Sequence, residues 1–322
     1  MRTIEVMARL AGPNAAIHVC AADPGAFSLL GEVARELKEQ GIAGMFFVEG
    51  WAMNASSPQQ HDTIPLTFEA FQRQTGPDDV LLLGVRMDFP RTREILGLAR
   101  KQGLKTALVF DHWKNYTEHF LGQNECVLPD HILMPDETAR QALLDSFALH
   151  PELTGYDKDR VLILGHPALE KSVAAINAFS GADARALLNS LGLGDMPVAG
   201  LFLEPVRPED GYGYDTKSLV AFVADWMKEN RPGTAVLVKP HPRDTNFSGR
   251  DLAPFARHGI PARLVSGPAE PLVGATSETW GMTSLVLVAA LLAGKHVISF
   301  QPGRTELGRK QSNSYLEPWV IE

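Results

Sequence analysis

The densest run of chemistry-bearing residues is Ala235–Asp244, AVLVKPHPRD. A stretch of aliphatic strand residues stops abruptly at Lys239, His241 and Arg243, which predicts three groups able to carry positive charge at the carboxyl edge of a sheet, where doubly wound folds bind ligands. Lys239 and Arg243 suit phosphate oxygens, Arg through a bidentate fork, and His241 can donate to the same anion or exchange a proton near neutral pH. Pro240 and Pro242 stiffen the turn. That stiffness favours an anion site over a solvated turn whose charges merely cover a strand end.

The segment Ser277–Ser284, SETWGMTS, precedes the apolar run Leu285–Ala293 and then Gly294–Gly303, GKHVISFQPG. Gly281 supplies a turn, and Thr283 or Ser284 caps a helix whose free N–H groups point at whatever lies before it. Free donors and the helix dipole together make such an end a phosphate site, although a cap with no ligand has the same sequence. Glu278 lies near enough in sequence to accept hydrogen bonds from a ribose, and Gln301 closes the following strand on the same predicted edge.

Asp111–Tyr116, DHWKNY, begins where another apolar strand runs out. Asp111 and His112 are candidate general bases. Trp113, Asn115 and Tyr116 would give an aromatic platform and polar groups for a sugar, or else Trp113 and Tyr116 are packing residues and Asp111 a helix cap. The loop Ala22–Ala26, ADPGA, follows the first strand. Gly25 lets a backbone approach a ligand closely, and Asp23 is either a base toward an acceptor hydroxyl or, more simply, the cap of the helix after it. The loop is not GxGxxG, so dinucleotide binding is not supported. His166, Glu204 and Arg207 also stand at strand ends, and Gly211–Tyr214 reads as a loop at the same edge.

These loops need strands to hold them. Apolar runs at Ala16–Ala22, Ala43–Val48, Val80–Leu83, Thr106–Phe110, His131–Met134 and Val161–Leu164 read as strands buried on both faces. Between them Phe27–Gln40, Arg91–Gln102 and Glu137–Leu149 show helical spacing. After an Ala-rich helical stretch, Glu170–Gly194, alternation resumes with Val198–Leu203, Lys217–Glu229, Thr234–Val238, Asp251–His258, Ala262–Val265, Ser284–Leu292 and His296–Phe300. Two blocks of strand–helix alternation predict an α/β protein of two Rossmann-like, doubly wound parallel-sheet domains facing a cleft, residues 1–172 and 173–322, with the boundary inside 168–182. The chain's 322 residues fit that number of domains.

Lys and Arg total 30 against 38 Asp and Glu, a net charge of −8, which argues against nucleic-acid binding. Any basic site must therefore be local. Cys20 and Cys126 are too few for a disulfide framework and match no zinc spacing, so a reducing cytoplasm is expected. The N-terminus has no apolar core of a signal peptide. No run approaches the length of an integral membrane segment, which leaves room only for peripheral membrane contact.

The strand ending KPHPR, the later GMTS helix start and the GKHVISFQPG segment together resemble the second domain of GT-B-fold bacterial enzymes. These include glycosyltransferases and glycerophosphotransferases of surface-polysaccharide synthesis and UDP-N-acetylglucosamine 2-epimerases. The Asp-Pro-Gly loop and the DHWKNY segment are similar to first domains of the same superfamily, so the resemblance runs in patches over residues 20–303. It implies a nucleotide-sugar donor on the second domain, its phosphates near Lys239, His241, Arg243, Thr283 and Ser284, and a glycan, lipid-linked or protein acceptor on the first. It implies no cofactor and no metal, and no DxD stands where a metal-dependent transferase would place one; Asp78 and Asp79 read as a turn. The tail Tyr315–Glu322 either returns to the first domain or leaves the usual closing helices absent.

The expected activity is a metal-independent, inverting glycosyltransferase: a first-domain base deprotonates the acceptor, and cations with helix-end amides stabilise a departing diphosphate. An epimerase or hydrolase acting on the donor alone, and a non-catalytic nucleotide-sugar-binding scaffold, are the competing expectations.

Overall fold

In the computed structural model, residues 2–12, 14–55, 62–208, 212–304 and 313–322 are described. The chain divides into two compact units, Met1–Ala168 and Leu169–Glu322. The first contains α1 (Arg2–Leu10), β1 (Ile17–Ala21), α2 (Pro24–Glu39), β2 (Phe46–Val48), α3 (Trp51–Ala55), β3 (Thr63–Pro65), α4 (Phe68–Gln74), β4 (Val80–Gly84), α5 (Phe89–Lys101), β5 (Lys105–Val109), β6 (His131–Met134), α6 (Glu137–Phe147) and β7 (Val161–Ile163). Helix α7 (Pro167–Ala178) spans the division. The second unit continues with α8 (Gly181–Ser190), β8 (Val198–Phe202), α9 (Thr216–Asn230), β9 (Ala235–Lys239), α10 (Ala253–Arg257), β10 (Ala262–Leu264), α11 (Ala269–Ala275), β11 (Glu278–Gly281), α12 (Leu285–Leu292), β12 (His296–Phe300) and β13 (Val320–Ile321).

The strands of the first unit form one parallel sheet in the order β3-β2-β1-β4-β5-β6-β7, and those of the second form another in the order β10-β9-β8-β11-β12-β13. Each order runs outward in both directions from the unit's first strand, the doubly wound Rossmann arrangement. The register of the first sheet is fixed by pairs such as Val19↔Phe46 and Val19↔Leu82, that of the second by Gly200↔Leu237 and Thr279↔Gly200. In each sheet the chain reverses its direction of growth at one point, between β1 and β4 and between β8 and β11. Ligands of such folds bind outside the carboxyl ends of the strands at that point.

Sequence explains the layers. β1, β4 and β8 are buried at every position, as parallel strands covered on both faces must be. Helix α2 starts with Pro24, whose missing N–H costs nothing in a first turn, and buries Ala26, Phe27, Leu30, Val33 and Leu37 at helical spacing. Helix α9 is fixed by a reciprocal cap: Ser218 N donates to Asp215 Oδ1 at 2.7 Å and Asp215 N to Ser218 Oγ at 2.8 Å. The second core centres on Trp226, Trp280 and Phe300, whose ring centroids lie 5.1–5.9 Å apart.

Strands β3, β11 and β13 were not expected. Strand β11 holds polar residues and ends in glycine, so its sequence reads as a turn. A Cβ on Gly281 would stand 2.7 Å from both Phe202 O and Leu287 Cδ1, a close approach that glycine permits. In the tail, β13 pairs with β12, Ser299 opposite Val320. Among the described residues no helix is long and apolar enough to cross a membrane.

Candidate functional site

At the reversal point of the second sheet, the loops after β8, β9 and β11 bring Glu204, Lys239, His241, Arg243 and Thr283 to one carboxyl edge. Lys239 ends β9 and is half-buried, and Arg243 is exposed. Neither pairs with a carboxylate among the described residues. His241 Nδ1 accepts a hydrogen bond from Arg243 N at 3.1 Å, which leaves Nε2 to carry the proton of the neutral ring. Burial, then the Arg243 cation, hold His241 below the ordinary imidazole range, against the pull of Glu204.

The residue just before the N-cap of α12 is held by the chain itself. Thr283 N donates to Glu204 Oε1 at 2.6 Å and Thr283 Oγ1 to Glu204 Oε2 at 2.9 Å, while Ser284 Oγ accepts from Val286 N as an ordinary cap. Behind Thr283 lies a buried polar network: Asn313 Nδ2 donates to Thr283 O, Ser299 Oγ to Met282 O, and Gln301 Nε2 to Ser299 Oγ. Gln301 thus supports the loop from inside rather than reaching a ligand. Gly281 likewise serves close packing, as described above.

Glu278 is not part of this edge. It opens β11 at the amino end of the sheet, where it accepts from Arg231 Nε and Trp280 Nε1, each at 2.9 Å. A residue at the start of a parallel strand cannot meet a ligand beyond its end. The ribose role expected of Glu278 is therefore withdrawn. Sequence gave Glu204 only a minor place, because nothing local shows that a carboxylate 79 residues away will reach Thr283.

In the first unit, the carboxyl edge gathers Asp23, Gly25, Arg86, Asp111, His112 and His119. Asp23 Oδ2 accepts from Met87 N at 2.8 Å, tying the loops after β1 and β4. It stands at the N-cap position of α2 but makes no side-chain cap bond. Asp111 Oδ1 and His112 Nδ1 are 2.6 Å apart. Burial raises the Asp111 carboxyl, but the His112 charge and hydrogen bond outweigh it and hold it below the usual carboxylate range. The room at Gly25 is used by Asp111: a Cβ there would stand 1.8 Å from Asp111 Oδ2. Gly25 thus admits the chain's own carboxylate.

His112 Nε2 and both ring nitrogens of His119 are buried and make no hydrogen bond. Such orphans at a sheet edge indicate a polar partner that belongs there. His119 is wedged edge-on against Phe89 and Phe110; burial, with help from His112, pushes its pKa down to about 3. Arg86, 4% exposed, is held by Glu49, which Arg91 also grips. Sequence reasoning did not single out His119, Arg86 or Glu49: His119 lies within the segment that runs from Asp111 to Phe120 but shows no local sign of its burial, and Arg86 and Glu49 lie outside the motifs and acquire their partners only through the sheet.

The sugar platform is not exposed. Trp113 is 3% exposed, donates to Asp136 Oδ2 at 2.9 Å and stacks on the buried His166 ring. Tyr116 is buried beside Phe110. Both are packing residues, the second of the two readings the sequence allowed. Asn115 takes φ 54°, a left-handed position that Asn tolerates, and stays half-exposed. Asp79 accepts from Gly76 N and Ala16 N, so the Asp78–Asp79 pair does form a turn. Tyr212 and Tyr214 pack on the second core; Gly211 lies outside the described residues. Among the described residues no group of three or more His, Cys, Asp or Glu is placed to hold a metal ion.

No protein-family model matches the chain, and no curated protein matches it in sequence. Solved structures do match in shape. A glycosyltransferase from Rickettsia africae is 12% identical, with a TM-score of 0.61 over 91% of this chain and 82% of that one. Anabaena HepE, solved with UDP and glucose, is 13% identical, with a TM-score of 0.56 over 90% and 82%. The UDP-GlcNAc 2-epimerase of Neisseria meningitidis, solved with UDP-GlcNAc, is 11% identical, with a TM-score of 0.58 over 94% and 90%. At such identities the likeness speaks for architecture alone: two Rossmann-like parallel-sheet domains in one chain, the GT-B fold.

Proposed function

We propose that the protein is a metal-independent glycosyltransferase that uses a nucleotide-activated sugar in bacterial surface-polysaccharide or glycoconjugate synthesis. The observation that carries this reading is the second-domain turn, where Lys239 and Arg243 form no ion pair among the described residues and stand beside a half-buried His241 at the ligand-binding edge of the sheet. Cations so placed stabilise the negative charge that grows on a departing phosphate, and we assign them the role a metal plays elsewhere. In the first domain the Asp111–His112 pair is the proposed base: the carboxylate orients the imidazole, and the orphaned Nε2 awaits the acceptor hydroxyl. A fold shared with sugar-nucleotide enzymes agrees with this reading.

Incubation with UDP-, CDP-, GDP- and CMP-sugars, with and without glycan acceptors, tests it. Nucleotide release that requires an acceptor, and that Lys239→Ala or His241→Ala lowers by about a hundredfold or more, is the expected result. Unchanged turnover in both variants sinks the assignment. Conversion of a donor without acceptor would instead make the protein an epimerase or hydrolase, and tight binding without turnover a scaffold.

A further inference from the structure

We propose that Glu204 restricts the second domain to donors joined through a single phosphate, nucleoside monophosphate-linked sugars in preference to diphosphate-linked ones. The inference rests on reading this edge as the donor site. A diphosphate brings two adjacent anionic groups, and each needs its own donors. The edge offers two sets: the start of α12, and the turn with Lys239, His241 and Arg243.

The approach to the first set already holds an anion. Glu204 takes both the amide and the hydroxyl of Thr283, at 2.6 and 2.9 Å. A carboxylate there, against the residue before the N-cap Ser284, lies in the same helix-dipole field that would attract a phosphate. Two anions do not share one such seat, because like charges in contact repel strongly away from bulk water. The seat is also rigid. Ser299, Gln301 and Asn313, between 0% and 6% exposed, hold the Met282–Thr283 backbone from behind, so Glu204 is met by a prepared partner rather than a loose loop.

The remaining set suits one phosphate. Around His241 stand Arg243 and Lys239 as cations, and Glu204 and Asp244 as anions. Asp244 is a turn residue whose Oδ1 accepts from Asn246 N at 3.3 Å. Close to the imidazole the two cations are thus matched in number by two carboxylates, neither of which pairs with them among the described residues, so the positive charge there suits one phosphate better than two. Beside Arg243 the loops after β8 and β9 and the start of α9 enclose a cavity of about 300 Å³, walled by Pro205, Arg207, Thr216 and Asn246. That volume lies at the lower end of small-molecule pockets.

Calorimetry of the full chain with UMP, UDP, CMP and CDP tests the inference. Wild type is expected to bind the monophosphates at least as tightly as the diphosphates. Glu204→Ala, which empties the seat, is expected to shift the ratio toward the diphosphates by about tenfold or more, and Thr283→Val added to it to take part of that shift back. Wild type preferring diphosphates by about tenfold, or a ratio that Glu204→Ala leaves unchanged, overturns the proposal. Should Glu204→Ala fail to fold, Glu204→Gln keeps the shape and removes the charge. A ratio moved in the same direction then supports the proposal, and an unmoved ratio overturns it. Lys239→Ala and Arg243→Ala separate the two levels. If both bind all four nucleotides as wild type does, the donor-site reading itself fails; if both lose them while Glu204→Ala changes nothing, only the role of Glu204 fails. No binding of any nucleotide to wild type overturns both.

Discussion

Replacing Gly25 by alanine should disable the first-domain site while leaving the fold nearly intact. A Cβ at this position would lie 1.8 Å from Asp111 Oδ2, so the carboxylate must retreat by about 1.5 Å or more to reach ordinary contact. The Asp111–His112 pair, 2.6 Å between Oδ1 and Nδ1, does not survive such a shift. A hydrogen bond to a charged group contributes about 1.5–3 kcal/mol, which corresponds to about ten- to a hundredfold in turnover if His112 acts as the base. Stability moves less. Position 25 lies in the first turn of α2, where alanine is the better helix former by about 1 kcal/mol, offsetting part of the cost of crowding, about 1–3 kcal/mol. The assay pairs turnover with the His112 imidazole signal in ¹H–¹⁵N spectra and a thermal melt. Loss of turnover with a displaced imidazole signal and a melt lowered by less than about 8 °C is expected. Wild-type turnover with an unshifted imidazole would refute the reasoning. Gly84→Ala is the control: its Cβ meets Ala26 Cβ at 2.7 Å and Leu30 Cδ1 at 2.9 Å, so it should cost stability through crowding of the core.

Arg86→Ala leaves Glu49 with Arg91 alone and empties a buried cation site; urea unfolding should show a loss of about 1.5–3 kcal/mol, and a loss below about 0.5 kcal/mol would contradict a structural role. His119 makes the fold acid-sensitive. Its folded pKa of about 3 lies below the ordinary 6.5, so between those values the unfolded chain binds a proton that the folded one does not, and stability falls as pH falls. From pH 7 to pH 5 the loss should be about 2 kcal/mol, and His119→Phe should remove that part of the slope; equal slopes in both proteins would count against it. Iodoacetamide should label the exposed Cys126 and spare the buried Cys20, whose thiol burial raises to about 11; labelling at Cys20 in the folded protein would contradict its burial.

The doubly wound architecture was legible because its signal is local: each buried parallel strand is a short apolar run, and each covering helix carries its own period. The bounds of β6 and β12 read from sequence agree with those of the structure. Strands built from polar or glycine-ending residues, such as β11, were not legible, because pairing with β8 and β12 decides them and no local pattern does. The site divided the same way. The cluster Lys239, His241 and Arg243 is contiguous in sequence, so its place at the carboxyl end of β9 could be read directly. Glu278 is near the loop in sequence but not in space, because it opens the four-residue strand β11 whose far end carries the loop. Trp113 and Tyr116 were offered as a platform from residue type alone, and type does not reveal burial. Glu204 belongs to the site only through the neighbouring of β8 and β11, which topology supplies.

The central claim is that the turn Lys239–Arg243 holds the donor's phosphate. The most direct measurement is a crystal of the full chain soaked with the nucleotide that binds most tightly. Phosphate density within hydrogen-bonding distance of Lys239 Nζ and the Arg243 guanidinium, absent from Lys239→Ala crystals soaked in parallel, is the result this account expects. Ordered nucleotide elsewhere on the chain, with that turn empty, would contradict it.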